Sequence, residues 1–364
     1  MTSARTTGPV RIVGAGLLGA SIGLALRKLG VEVILDDSSR AAVRLASDYG
    51  AGRPAQPGDL PALIIVAVPP DDVAPVVVRE LAAHPEALVT DVASIKEAVL
   101  DETIELGGDP DRYLGSHPMA GRERGGAVSA RADLFLGRPW VYTPHAGNTL
   151  GQERAIEALA LDLGATPIRM SPWTHDIAVA RVSHLPQIMA SLTAAQLRGK
   201  GVDDEQLGLA GQGLRDTTRI AESDPELWVQ ILRGNSHQLV SLLEFVQQDL
   251  TALIEALRAP AEGDNSRDII ELLKAGNEGR ARIPGKHGSK RSYAVVTVQV
   301  ADRPGELARL LTEIGEEDVN LEDLRIEHSP GAQLGFAEVS VLPEAAERLS
   351  AALEARGWTL GGGE

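Results

Sequence analysis

The sequence predicts an α/β protein in three parts: a doubly wound parallel sheet over residues 1–170, an all-helical unit over 171–283, and a small βαββαβ domain over 293–364. Three observations carry that prediction. A Gly-x-Gly-x-x-Gly turn, Gly14-Ala15-Gly16-Leu17-Leu18-Gly19, lies between an apolar strand and a helical repeat. Apolar runs alternate with helical stretches until about Met170, then give way to Ala- and Leu-rich helical spacing without a convincing strand. Strands return after residue 292, one before the turn Asp302-Arg303-Pro304-Gly305-Glu306 that leads into a helix, and two more around the turn Ser329-Pro330-Gly331.

The first strand begins at Val10, and Ile22, Leu26 and Leu29 mark the helix that follows the glycines and stops at Gly30. In such a strand-turn-helix unit Gly14 permits the turn, Gly16 lets backbone approach a pyrophosphate, and Gly19 lets helix and strand pack closely. Leu17 and Leu18 open the helix, whose free N–H groups and positive dipole end suit an anion. The next apolar run, 31–35, ends at Asp36-Asp37, where an acid meets the adenosine ribose of a dinucleotide. Together these make a Rossmann-type site for NAD, with Asp37 slightly better spaced than Asp36. Both acids could instead be helix caps or solvated turn residues, and Arg40 keeps NADP open. The run 63–68, closed by Pro69-Pro70, predicts a strand buried on both faces, and 87–92 and 140–143 supply further strands. Ligands of doubly wound sheets sit at the C-terminal strand ends, so Val68, Pro69, Ser94 and His117 are expected to converge on a nicotinamide.

Composition narrows the function. With 35 Lys and Arg against 51 Asp and Glu, the formal charge of -16 argues against nucleic-acid binding, which needs a concentrated basic surface. The chain has no cysteine, which removes disulfides and thiolate chemistry. Residues 1–9 are polar and no apolar run approaches a membrane span, so a cytoplasmic enzyme without a membrane partner is expected.

In the helical part, Trp228, Leu232, Asn235, Leu239, Leu243, Val246, Leu250, Leu253 and Leu257 are spaced by four or three, with two successive fours from Asn235 to Leu243. That seam suits either a core helix or pairing with a second copy across a two-fold axis, with Asn235 setting register or lining a site. Two patches carry chemistry-bearing residues. One is His175-Asp176 with Ser183-His184-Leu185-Pro186-Gln187; the other runs from Gly211 to Ala221 and includes Arg215 and Arg219, residue types suited to gripping carboxylates. A single His or Arg on a helix is more often a paired structural residue, so the weight lies in the conjunction.

That conjunction is specific. With the fingerprint at 14–19, Asp91-Val92-Ala93-Ser94-Ile95-Lys96, Gly115-Ser116-His117-Pro118-Met119-Ala120-Gly121, Ser-His-Leu-Pro at 183–186, Arg-Asp-Thr-Thr-Arg-Ile-Ala at 215–221 and Asp224-Pro225-x-x-Trp228, the chain resembles the prephenate dehydrogenases over residues 10–258. The resemblance implies NAD-dependent oxidative decarboxylation of prephenate to 4-hydroxyphenylpyruvate, on the route to tyrosine, without a metal. It implies that His117 takes the proton of the ring hydroxyl, that Ser94 helps orient histidine and hydroxyl, and that Arg219 holds a substrate carboxylate. His184 and Trp228 join the substrate site by the same resemblance. Gln187 stands where many relatives have a second histidine; being neutral, it offers nothing to pair with the ammonium of arogenate, the aminated alternative substrate, and so favours prephenate.

Residues 293–364, with their Asp-Arg-Pro-Gly-Glu-Leu turn, are ferredoxin-like in order and resemble an ACT domain. That resemblance implies an amino-acid effector, tyrosine by pathway position, with Gly305 and Asn320 as contacts; a domain serving only dimerisation or stability is the plainer alternative. A homodimer is expected, and the basic stretch 279–291 reads as a solvated tether. Two other functions are weaker. A β-hydroxyacid dehydrogenase would use a lysine in the helical unit, yet 173–199 contains none, and a non-catalytic amino-acid sensor has no use for His117, Ser94 and Arg219 together.

Overall fold

A computed structural model of the chain describes residues 3–121, 126–199, 201, 203–259, 266–284, 293–328 and 334–361. They divide into two compact units, residues 1–196 with 218–246, and residues 197–217 with 247–364.

The first unit opens with β1 (Val10–Val13), α1 (Leu17–Lys28), β2 (Val33–Asp36), α2 (Arg40–Asp48), β3 (Arg53–Pro54), β4 (Leu63–Val66), α3 (Pro70–Ala83) and β5 (Leu88–Asp91). These strands form one sheet in the order β3-β2-β1-β4-β5, parallel throughout, with Val10 in register with Val33 on one side and Leu63 on the other. Every residue of β4 is buried, as its unbroken apolar run predicts. The glycine turn is shaped by contact. Gly14 has φ +108°, and a Cβ there would sit 2.2 Å from the Ala67 carbonyl oxygen; a Cβ on Gly19 would sit 1.9 Å from the Gly14 oxygen. The turn after β1 can lie this close to the residue after β4, and α1 this close to the turn, only because these two positions lack a side chain.

The parallel sheet stops earlier than the predicted residue 170. After α4 (Glu97–Glu105), β6 (Gly115–Pro118) runs antiparallel to β7 (Pro139–Thr143), which after α5 (Leu150–Asp162) pairs in parallel with β8 (Thr166–Arg169). This three-stranded sheet follows the first through one parallel bridge, Val89 to Tyr113. The reversal has a plain cause. A parallel partner needs a long crossover, normally a helix, and among the described residues between β6 and β7 there is only the short 3-10 turn Ala127–Ser129.

α6 (Pro172–Val179) continues through a π-helical turn, Ala180–His184, into α7 (Leu185–Gln196). Pro186 lacks the N–H that would bond the Val182 carbonyl, and its ring crowds that oxygen, which widens the turn here. α8 (Asp204–Leu207) and α9 (Gln212–Thr218) precede α10 (Pro225–Gly234) and α11 (Ser236–Arg258). The predicted seam is therefore two helices, not one. Asn235 caps α10 with φ -118° and ψ 25°, and a Cβ on Gly234 would lie 2.1 Å from Ile95 Cδ1, so the end of α10 sits hard against the segment after β5.

In the second unit α12 (Ser266–Ala281) takes up the start of the expected tether; its residues 285–291 lie outside the described residues, as does the expected turn Ser329-Pro330-Gly331. β9 (Ala294–Ala301), α13 (Glu306–Glu316), β10 (Asp323–His328), β11 (Leu334–Val341) and α14 (Pro343–Ala355) follow, with an antiparallel sheet ordered β10-β11-β9. The expected last strand shrinks to a single bridge between Leu360 and Val298, on the free edge of β9. Val298, Leu310, Val339 and Leu349 are fully buried between sheet and helices. Among the described residues, no helix is long and apolar enough to cross a membrane.

Candidate active site

The C-terminal ends of β1, β2 and β4 open onto a cavity of about 600 Å³ whose lining includes Gly14, Gly16, Asp36, Asp37, Val68 and Pro69. All six were expected in a cofactor site from the sequence. A Cβ on Gly16 would meet nothing within 4 Å, so the turn presents open backbone to the cavity, next to the buried Leu17 and half-buried Leu18 that start α1. Neither acid is the cap of α2, a role taken by Ser39, whose hydroxyl accepts from Ala42 N–H at 3.2 Å. Asp37 instead ties the glycine turn to β2, accepting from Ala15 N–H and from Ser39 N–H, each at 2.7 Å. Asp36, last residue of β2, accepts from Arg11 at 2.7 Å. Open backbone, a helix N-terminus and two carboxylates at the end of β2 fit the pyrophosphate and ribose of a dinucleotide.

His117 lies on β6 opposite Val141, only 8% exposed. Its Nδ1 is 2.9 Å from Nε2 of His175, and His175 Nδ1 is 2.7 Å from Asp176 Oδ1. The two rings meet edge to face. Asp176 also accepts backbone N–H bonds from Lys96 at 3.0 Å and Glu97 at 2.9 Å, at the start of α4. Thus the two patches His117 and His175-Asp176, 58 residues apart, become one buried array. Burial chiefly, then His175, Lys96 and His184, hold the His117 imidazole well below its ordinary pKa, so it is neutral near pH 7.

Beneath it lies a buried ionic cluster that sequence reasoning did not single out. Lys96 Nζ pairs with Asp91 Oδ1 and donates to the Ser116 carbonyl at 2.8 Å, while the Tyr113 hydroxyl donates to Asp91 Oδ2 at 2.5 Å. Burial pulls the Lys96 ammonium down and the Asp91 carboxylate pulls it back up, whereas burial, followed by that carboxylate, raises the Tyr113 phenol. The cluster anchors the loop from Asp91 to Lys96 and the strand carrying His117 to each other. Ser94 sits half-buried in that loop, and among the described residues it is His175, not Ser94, that bonds His117 Nδ1.

His184 ends the π-turn, fully buried and edge to face with Trp228 at 6.0 Å. Its Nδ1 is 3.2 Å from Asn235 Nδ2, which donates to the Asp176 carbonyl at 2.9 Å, while its Nε2 has no partner among the described residues. Burial lowers its pKa to about 4. Asn235, the polar residue in the apolar seam, thus joins α10 and α11 to the histidine array. Gln187 is buried and donates to Ser223 Oγ at 2.7 Å; Arg219, exposed, starts a 3-10 turn packed on α7. In the second unit, Gly305 takes a left-handed φ of 92° at the start of α13, and Asn320 donates to Glu322 at 2.8 Å.

The prephenate dehydrogenase nucleotide-binding domain matches residues 22–166 and the prephenate dehydrogenase dimerization domain matches residues 171–275. The chain is 36% identical over 356 residues to "Probable prephenate dehydrogenase NovF" of Streptomyces niveus, covering 95% of this chain and 98% of that protein. It is 26% identical to the prephenate dehydrogenase of Bacillus subtilis, over 87% of each chain. Among solved structures, prephenate dehydrogenase from A. aeolicus in complex with hydroxyphenyl propionate and NAD+ superposes with a TM-score of 0.67 at 26% identity, over 76% of this chain and 99% of that one. Synechocystis arogenate dehydrogenase gives 0.62 at 28% identity, over 75% and 99%. The paired domain matches and the near full-length relative establish that the chain belongs to the prephenate dehydrogenase family.

Proposed function

We propose that this chain oxidises and decarboxylates prephenate with NAD, giving 4-hydroxyphenylpyruvate, carbon dioxide and NADH. The observation that carries the reading is His117: a buried, neutral imidazole engaged at Nδ1, which leaves Nε2 for the proton of a substrate hydroxyl. Bound NAD supplies the acceptor for hydride, and the glycine turn with Asp36, Asp37, Val68 and Pro69 is the site that holds it. His117 takes the hydroxyl proton as hydride leaves the ring carbon and the hydroxyl becomes a carbonyl; loss of the carboxylate then aromatises the ring without a metal, and the proton returns from His117 to the phenolate oxygen to give the phenol. Arg219 grips a substrate carboxylate and Ser94 steadies the hydroxyl beside His117. His184 and Trp228 wall the site, and Gln187 faces the substrate side chain.

Arogenate is the second reading, favoured by the likeness to the Synechocystis enzyme. Gln187 speaks for prephenate, because an amide brings no negative charge to an ammonium. The family's dimerization domain, together with the exposed apolar side chains Phe245, Leu250 and Leu257 on α11, supports a homodimer. The C-terminal sheet, with its left-handed Gly305 at the turn into α13, supports an ACT-like domain at which tyrosine acts through Gly305 and Asn320.

NADH absorbance tests the whole reading. Prephenate with NAD gives a signal and arogenate a much weaker one; silence with both overturns it. In the same assay tyrosine alters the rate of the full chain, and a chain ending before Tyr293 stays active but no longer responds. Inhibition that survives the truncation would move the effector to the active site.

A further inference from the structure

We propose that His175 and Asp176 form a positioning relay that fixes the tautomer of His117, keeping its proton on Nδ1 and its lone pair on Nε2. The relay rests on His117 being the base and adds two residues that have no part in that assignment.

Asp176 is the fixed end. One carboxylate oxygen accepts Lys96 N–H and the other Glu97 N–H, two of the free donors at the start of α4. Backbone N–H groups can only donate, and an ionised carboxylate has no proton to give, so both oxygens act as acceptors. His175 Nδ1, 2.7 Å from Oδ1, must therefore carry a proton. A neutral imidazole protonated at Nδ1 has only a lone pair at Nε2. His117 Nδ1, 2.9 Å from that lone pair, must then donate, and its own Nε2 is left bare. The chain of donors and acceptors allows one arrangement so long as His175 is neutral.

The surroundings hold the relay in place. His175 and Asp176 are 0% and 1% exposed, and Asn235 pins the Asp176 carbonyl from the break between α10 and α11. The titratable groups around His117 are Lys96, Asp91 and Tyr113 beneath it, His184 beyond, and the relay itself. Lys96 opposes positive charge on His117, and Asp91 offsets Lys96. Once a proton reaches Nε2, the new imidazolium bonds through Nδ1–H to His175 and lies in line with the carboxylate behind it. The relay thus sets the base before the reaction and steadies the cation after proton uptake, while neither residue touches substrate.

Nitrogen NMR of the full chain labelled at histidine reads the tautomers directly, with His117 assigned by its disappearance in His117→Asn. At pH 7.5 the expected pattern is a protonated Nδ1 and bare Nε2 on both His117 and His175. A proton on His117 Nε2, or a doubly protonated His175, overturns the relay. His175→Leu removes the acceptor; kcat falls by roughly 100-fold while KM moves by less than about threefold. His175→Gln puts an amide oxygen near the Nε2 position and recovers at least about tenfold of that loss. Equal losses in the two variants, or a wild-type tautomer at His117 in His175→Leu, would also overturn it. If the wild-type tautomers are as stated but prephenate is not oxidised, the functional reading fails and the relay stands.

Discussion

His117→Asn is expected to lower kcat with prephenate by roughly 100- to 10,000-fold, with KM changed much less. Asparagine can still donate to His175, and its volume is close enough to leave β6 paired with β7. What it lacks is a basic nitrogen at the Nε2 position. The imidazole has the two properties a base for a hydroxyl proton needs, a free lone pair and a pKa low enough to be neutral at pH 7. Substrate binding, assigned to Arg219, His184, Trp228 and Gln187, is left intact. Steady-state NADH formation measures both constants, and near-normal turnover would remove His117 from the chemistry.

Lys96→Met should produce the largest loss of stability, about 3–5 kcal/mol by urea unfolding. Lys96 is fully buried and neutralises Asp91, which also accepts from Tyr113 and from Ala93 N–H at 2.7 Å. Methionine fills the same volume but leaves a buried carboxylate without its counter-charge. Adding Asp91→Asn removes that charge, and the double variant should regain a good part of the loss. A Lys96→Met protein as stable as the wild type would show that the pair is not holding the Asp91 loop to β6. Activity should fall with stability, because that loop carries Ser94 and leads into the N–H donors of Asp176.

The glycine turn, β1, α1 and the acids at the end of β2 were legible because each is a local pattern with a local cause. Gly14 and Gly19 are glycines for reasons of backbone approach that the spacing alone implies. The fully buried β4 was equally plain as an unbroken apolar run. The sheet around His117 was not, because strand direction depends on the length and content of connections rather than on apolar content. Lys96 stood in the motif 91–96, but its burial was missed because lysine belongs on surfaces, and nothing in the spacing announces Asp91 and Tyr113 as its partners. Asn235 illustrates the limit most clearly. The spacing by fours and threes runs through it without interruption, yet the helix breaks there, since its side chain bonds the Asp176 carbonyl 59 residues away. His175-Asp176 was visible as a polar patch, but its orientation toward His117 comes from the start of α4, a tertiary contact.

If a neutral His117 is the base, the pH dependence of kcat/KM for prephenate reports its protonation. A base works deprotonated, so activity is full above its pKa in the free enzyme and falls as pH drops through it. Burial, His175, Lys96 and His184 all push that pKa below the ordinary 6.5, so the profile should stay flat through pH 6.5 with its acid limb lower. An acid limb at or above pH 6.5, or one that persists unchanged in the residual activity of His117→Asn, would rule out His117 as the base.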